Sequence, residues 1–405
     1  MFNPLEERGI PIDKQLRNWR ELNVDPYHKR EVDPYTRCRI IAMNGIEVES
    51  IIFSHQFNRN TDVLEVKEKL ALSRRIEQQQ QKAINWLTPG DETTLEVTLG
   101  YEQVAVDLTA WLARSEPDPY LTQTYDFGLL EDFDHLYRYA NLYELLEGRQ
   151  ADAVVDQLTE VMPGRPTVRE HRHPSDDLRL HFDKHTVDPL SRLHAMTLVA
   201  AEQQTMNFYM TIGNRYMEPI ARQLYQEIGM IEEQHVTQYE SLVDPGESWY
   251  EQLVHHEYNE VYLYHSFAAQ ESDPKVRAIW DLHLGMEIEQ LKIACDLMQR
   301  YDGRDPEEVL PPGLPDNPVR FEPNKEYVRT VLAEQEDLNA LGQGFVRDAH
   351  KRYQSYQDAV HGEGPVPSEQ VIADHVEKFG EDFRIETEGP HPVERSRDRR
   401  PKPER

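Results

Sequence analysis

The sequence predicts a mainly α fold: a four-helix bundle built from two helical hairpins with a long crossover, plus a third flanking hairpin and a small N-terminal β-hairpin. Three observations predict it. A pattern of acids and aromatics recurs three times between residues 91 and 300. Each recurrence puts a turn signal midway between two acids. A stretch near 148–187, with Pro163-Gly164 and several His, interrupts the helical pattern between the first and second recurrence.

Composition sets the outer limits. A chain of 405 residues can bury a sizeable core, as one large domain with extensions or as two domains. The hydrophobic fraction is low at 38%, so 20 Tyr, 12 Phe and 5 Trp have to supply much of that core. No run approaches the roughly 18 apolar residues that cross a bilayer, and Met1 opens no signal-peptide pattern, so a cytoplasmic location is expected. Cys38 and Cys295 form no CxxC, which excludes a disulfide scaffold and a thiolate metal site. The formal charge of −30 argues against nucleic acid and anionic membrane as partners. With 74 carboxylates on this acidic protein, charge alone locates no site, and position has to decide.

Residues 1–60 read as a mixed segment. Within it Asn44-Gly45, flanked by RCRIIAM and IEVESIIF, reads as a β-hairpin because Asn-Gly favours a primed two-residue turn. Residues 61–300 form the helical domain. It opens with a charged helix over 61–88, ending before Pro89-Gly90, and closes with the additional hairpin at 247–300. Residues 301–385 comprise a Pro-rich connector and C-terminal helices near 323–360 and 367–379. Residues 386–405 have little to bury and are expected to be disordered.

The repeat is specific in its offsets. Glu102 is followed 17 residues later by Pro119, 30 later by Asp132 and 33 later by His135. Glu202 leads Pro219, Glu232 and His235 at the same offsets, and Glu257 leads Pro274, Glu287 and Gln290. Asp118 and Asp273 suit an N-cap, and proline next in line suits the first helical position. Each unit is therefore a helical hairpin whose two acids lie about 15 residues from the turn, or about 22 Å along each helix. The acids meet at one height on antiparallel neighbours.

They also lie in apolar stripes. Leu95, Leu99, Glu102, Val106 and Ala110 share a face; so do Leu121, Tyr125, Asp132, Leu136, Tyr139 and Leu142. The next hairpin gives Leu198, Glu202, Met206 and Tyr209, then Tyr225, Ile228, Glu232, His235 and Tyr239. A carboxylate among apolar side chains costs several kcal/mol unless it is paired or bound to metal.

Spacing alone is a weak signal. An acid three residues before a His occurs six times, but only Asp132/His135 and Glu232/His235 have a Glu 30 residues upstream on an apolar helical face. The candidate ligands are therefore Glu102, Asp132, His135, Glu202, Glu232 and His235. Glu131 could pair with His135 instead, but it lies further from the stripe. Carboxylates with imidazole suit iron or manganese better than zinc.

A helix-borne Glu plus Glu-x-x-His, supplied twice, resembles the ferritin-like superfamily of carboxylate-bridged di-iron proteins. The resemblance covers about residues 91–243, and Asp132 departs from the family's usual Glu. It implies two iron ions, with manganese an option in one or both positions. Glu102, Asp132 and His135 would hold one ion, and Glu202, Glu232 and His235 the other.

Only 22 residues separate His235 from Glu257, too few for a crossover. The first two hairpins should therefore form the metal bundle, and the third, with Gln290 where a His would stand, should flank it. A rival pairing of the second and third hairpins, with His283 or Gln290 as ligand, stays open. His171, His173, His181 and His185 read as part of a solvated loop, and Tyr125, Tyr139, Tyr225 and Tyr239 as packing.

The function this implies is an O₂-dependent oxidase or oxygenase acting on an organic small molecule. O₂ or peroxide would be co-substrate, and electrons would come from an external donor, because no CxxC supplies a built-in carrier. The alternatives are a ferroxidase or peroxide-scavenging protein and a metal-free structural bundle. Roughly half of the chain lies outside the bundle and can wall a pocket or form a homodimer interface. No phosphate loop, GxSxG or kinase set is present.

Overall fold

A computed structural model describes residues 2–343 and 351–397. Twelve α-helices occur among the described residues: α1 (Pro34–Asn60), α2 (Leu64–Asn85), α3 (Thr94–Ser115), α4 (Pro119–Glu147), α5 (Asp152–Val155), α6 (Pro189–Ile212), α7 (Pro219–Glu240), α8 (Trp249–Gln270), α9 (Pro274–Tyr301), α10 (Lys325–Gln335), α11 (Lys351–His361) and α12 (Pro367–Phe379). Their starts are chemically explicit. Asp33, Asp118 and Asp273 each accept a hydrogen bond from a first-turn backbone N–H, and each precedes a proline. Thr93 with Glu96 and Ser248 with Glu251 form reciprocal capping boxes on α3 and α8.

The expected N-terminal β-hairpin does not form. Residues 34–60 make one helix, and among the described residues no sheet occurs; an isolated antiparallel bridge joins Val161 and Ile385. Asp33-Pro34 is the same start signal as at α4 and α9, and Ile46, Ser50, Phe53 and Phe57 recur on one buried helical face. Gly45 serves packing rather than a turn. A Cβ there would lie 2.9 Å from Gln204 Nε2 and 3.1 Å from the Ala200 carbonyl, so α6 passes close to α1 at this point.

The chain divides into two compact units. Unit 1 comprises Met1–Asp91, His181–Gln204 and Leu242–Arg320; unit 2 comprises Glu92–Leu180, Thr205–Ser241 and Phe321–Arg405. Helix α6 is unbroken at the division and contributes residues to each.

In unit 1 the α1–α2 and α8–α9 hairpins pack as a four-helix bundle, α1 against α8 and α2 against α9. The 247–300 hairpin is therefore half of a bundle in its own right rather than an addition to another one. The N-terminal segment is tied to α9 through the Ile10 N–H, which donates to the Gly285 carbonyl at 2.7 Å.

Unit 2 is built on the α3–α4 hairpin and α7. Its core includes Leu95, Leu99, Val106, Ala110, Leu136, Tyr139, Tyr225 and Ile228. Helices α10 and α12 pack on α4. The segment after α5 returns across α4, where the Asp134 carboxylate accepts from the Gly164 N–H at 2.9 Å and from the Thr167 N–H at 2.8 Å. Part of the expected disordered tail is also ordered. His391 Nε2 lies 2.8 Å from the Pro163 carbonyl and Arg395 Nη1 donates to Asp337 at 2.8 Å, so residues 386–397 pack onto unit 2; residues 398–405 lie outside the described residues. Among the described residues no helix is long and apolar enough to cross a membrane.

Gly164 fixes the height of the returning segment. A Cβ there would lie 2.6 Å from the Leu130 carbonyl and 2.8 Å from the Asp134 backbone N, atoms of α4 that cannot step aside. Gly164→Ala is therefore expected to cost about 1–3 kcal/mol through overpacking. Gly90→Ala, whose Cβ would meet nothing within 4 Å, should have little effect. Thermal unfolding of the two variants checks the contrast.

Candidate metal centre

Glu102 comes from α3, Asp132 and His135 from the middle of α4, and Glu232 and His235 from α7. Each sits among apolar side chains of its stripe and is no more than 1% exposed, so any charge here must be balanced locally. Glu102, Asp132, His135 and Glu232 each offer a ligand atom, and all of these atoms lie within 4.8 Å of one another. Ligands about 2.0–2.4 Å from a shared ion can be no further apart than this, so this group could hold a metal ion. Glu202 lies on α6, in the part of that helix that belongs to unit 1.

The two imidazoles are oriented alike. His135 Nε2 is 2.8 Å from Glu170 Oε2, and His235 Nε2 is 2.8 Å from Glu131 Oε2. An imidazole whose Nε2–H is donated to a carboxylate presents Nδ1 as a lone pair. His135 Nδ1 lies 3.1 Å from Glu232 Oε1 and 3.9 Å from Asp132 Oδ1. His235 Nδ1 lies 3.3 Å from Asp132 Oδ1 and 3.4 Å from Glu232 Oε2. Both rings thus aim the same atom at the same two carboxylates.

Burial would raise Glu232, but the two imidazoles outweigh it and hold the carboxyl at about 2; beyond the imidazoles these carboxylates are poorly served. Neither oxygen of Asp132 nor of Glu232 has a hydrogen bond of acceptable geometry, and the same is true of His135 Nδ1 and Glu102 Oε2. The other Glu102 oxygen accepts from the Tyr209 hydroxyl. Buried polar atoms are rarely left in this state. A cation placed among them answers the deficit, and the donor set of carboxylate oxygens and imidazole nitrogens fits iron or manganese.

The groups behind the imidazoles are well anchored. Burial alone would raise Glu131, but the Arg172 guanidinium, His235 and Arg165 outweigh it and hold the carboxyl at about 2. Arg172 Nη1 donates to both Glu131 oxygens, at 2.8 and 3.1 Å. Glu170 has no such clamp: burial pushes it up to about 8, opposed chiefly by His135. Its backbone is held instead, since Gln234 Nε2 donates to the Glu170 carbonyl at 3.2 Å.

Glu131 and Glu170 were not among the expected site residues. Glu131 stood as an alternative partner for His135 on its own helix, yet it serves His235 on α7. Glu170 was visible only as half of an acid–x–x–His match with His173, and that ring instead accepts from the Ser175 N–H at 3.2 Å. The His-containing crossover is also not uniformly solvated. His171 is 5% exposed, with Nε2 3.6 Å from Glu227, whereas His181 and His185 are exposed.

A cavity of about 300 Å³ opens beside this outer layer. Phe127, Glu131, Glu170, Arg172, Leu341 and Tyr353 are among its lining residues. The carboxylates that orient the imidazoles therefore also form part of the cavity wall.

Comparison with known proteins finds no family model, no curated protein and no solved structure that matches the chain.

Proposed function

We propose that this protein is an O₂-dependent oxidase or oxygenase that acts on an organic substrate. Its ferritin-like, dinuclear centre would use Glu102, Asp132, His135, Glu202, Glu232 and His235 as ligands. The observation that carries the reading is the matched pair of imidazoles, each braced at Nε2 by a buried carboxylate and each turning Nδ1 toward Asp132 and Glu232. Two iron ions, or iron with manganese, would supply the electrons for O₂ reduction when bound. Asp132 and Glu232 each lie near both imidazoles, so they would help to hold either ion.

The rest of the chain's part is positioning and exclusion. Glu131 and Glu170 fix the ring orientations, and the apolar stripes keep bulk water from the centre. The cavity lies within the usual size range for small-molecule sites and shares Glu131 and Glu170 with the outer layer, which favours an organic substrate over iron storage. Electrons would come from a separate donor, since Cys38 and Cys295 are buried, form no disulfide and are too far apart in sequence to make a CxxC carrier.

Three outcomes are expected. Full-length protein reconstituted anaerobically with Fe²⁺ and then given O₂ and a chemical reductant should consume O₂ beyond the amount needed to oxidise its iron. Uptake that stops once the iron is oxidised would select the ferroxidase alternative, and no uptake would remove the oxidase reading. Glu232→Ala and His235→Ala should each lose half or more of the bound iron, counted by elemental analysis, because ligands on one helical turn act together. Glu170→Gln should keep the fold but weaken iron affinity by about tenfold or more in chelator competition, as loss of a ligand's outer partner does.

A further inference from the structure

Unit 1 repeats the logic of the candidate centre with different chemistry. Glu47 on α1 precedes Glu77 on α2 by 30 residues and Gln80 by 33; Glu257 on α8 precedes Glu287 and Gln290 on α9 by the same intervals. These are the offsets that join Glu102 to Asp132 and His135. In unit 1 the acids again meet inside the bundle, but glutamine stands at both imidazole positions.

Glu47, Glu77, Glu257, Glu260 and Glu287 are all 2% exposed or less. Glu257 and Glu260, one turn apart on α8, and Glu287 on α9 each offer an oxygen within 4.8 Å of the others. Around Glu287 the amides act as donors. Gln290 Nε2 reaches its two oxygens at 3.1 and 3.3 Å, and Gln80 Nε2 donates to Oε1. The Tyr264 hydroxyl donates to Glu47.

Several buried atoms remain without hydrogen bonds: both oxygens of Glu260, Oε2 of Glu47, Glu77 and Glu257, and Oε1 of Gln290. Glu260 is the most telling, because it is 1% exposed, neither of its oxygens has a hydrogen-bond partner, and it offers one of them within 4.8 Å of Glu257 and Glu287. Local cations do little for the cluster. Burial, then neighbouring carboxylates, push Glu257 and Glu260 well above the usual range. Burial also lowers His283 to about 3, so this ring is neutral, and its Nδ1 is 3.1 Å from the Tyr264 hydroxyl.

We propose that unit 1 binds a hard divalent cation of the magnesium, calcium or manganese class through Glu257, Glu260 and Glu287. An all-oxygen donor set selects this class over zinc or copper, which take nitrogen and sulfur readily. Bound there, the ion would balance the buried acids that otherwise have to be protonated. Its role is electrostatic and needs no change of oxidation state. The site is independent of the function proposed for unit 2.

The test uses the full-length chain with the unit 2 centre disabled by Glu232→Gln and His235→Ala, stripped with chelator and then titrated with Mn²⁺. Free Mn²⁺ is read from its EPR signal in about 1 M KCl, where surface carboxylates are screened. The expected result is about one Mn²⁺ bound per chain. Binding should weaken at least tenfold when Glu260→Gln is added and vanish with Glu260→Gln plus Glu287→Gln. If the double change fails to fold by circular dichroism, the single isosteric Glu260→Gln decides. Absence of binding in the disabled background, or binding unchanged by Glu260→Gln, would overturn the proposal. Wild type and the disabled background binding the same amount of Mn²⁺ would count against the unit 2 centre while leaving this site standing.

Discussion

A carboxylate enclosed by helices has to be neutralised, and that requirement organises the inside of both units. Water is excluded by the same apolar stripes that make the helices pack, so each buried acid needs a proton, a cationic side chain or a metal ion. Glu131 is answered by Arg172, and Asp134 by Arg138 Nε at 2.9 Å together with backbone N–H groups of the returning segment. Asp132 and Glu232 have neither an arginine nor a backbone N–H as hydrogen-bond partner and face the imidazoles of His135 and His235 instead. The contrast between adjacent residues of α4 is informative: Glu131 and Asp134 face groups that were built to satisfy them, whereas Asp132 faces other ligand atoms.

The same helical template carries two donor sets. Imidazole at the two [DE]-x-x-H positions of α4 and α7 brings nitrogen donors and, through Nε2, a second layer of carboxylates. Glutamine at the corresponding positions of α2 and α9 brings neutral amides that donate to Glu287 and to each other's neighbourhood, Gln290 Nε2 lying 3.3 Å from Gln80 Oε1. Imidazole suits zinc, copper, iron and nickel, whereas carboxylate and carbonyl oxygens suit magnesium, calcium and manganese. The change of one residue type therefore gives the two units different donor chemistry, nitrogen with oxygen in unit 2 and oxygen alone in unit 1.

How much of this was legible depended on whether a residue obeyed a period. Helices α3, α4, α6, α7, α8 and α9 were readable because prolines and acids recur at fixed offsets. The α1–α2 hairpin follows the same acid offsets at Glu47, Glu77 and Gln80, but Asn44-Gly45 looked like a strand turn and concealed them. Gly45 is needed there because α6 leaves no room for a Cβ, which is a tertiary fact absent from local sequence. Glu170 was illegible for a related reason. It lies in an irregular segment, its partner His135 is 35 residues away, and no helical periodicity links them. Ligand positions followed the repeat, while the groups that orient the ligands did not.

The interleaved order of the units bears on how the chain reaches its native state. The α1–α2 hairpin is made early, but its bundle partners α8 and α9 begin only at Trp249, after all of α3 to α7. At roughly 5–20 residues per second of synthesis, the first hairpin waits on the order of ten seconds or more for them. Until α8 and α9 are made, the helices that enclose Glu47 and Glu77 are missing, so burial of these acids is deferred to the last step of assembling unit 1.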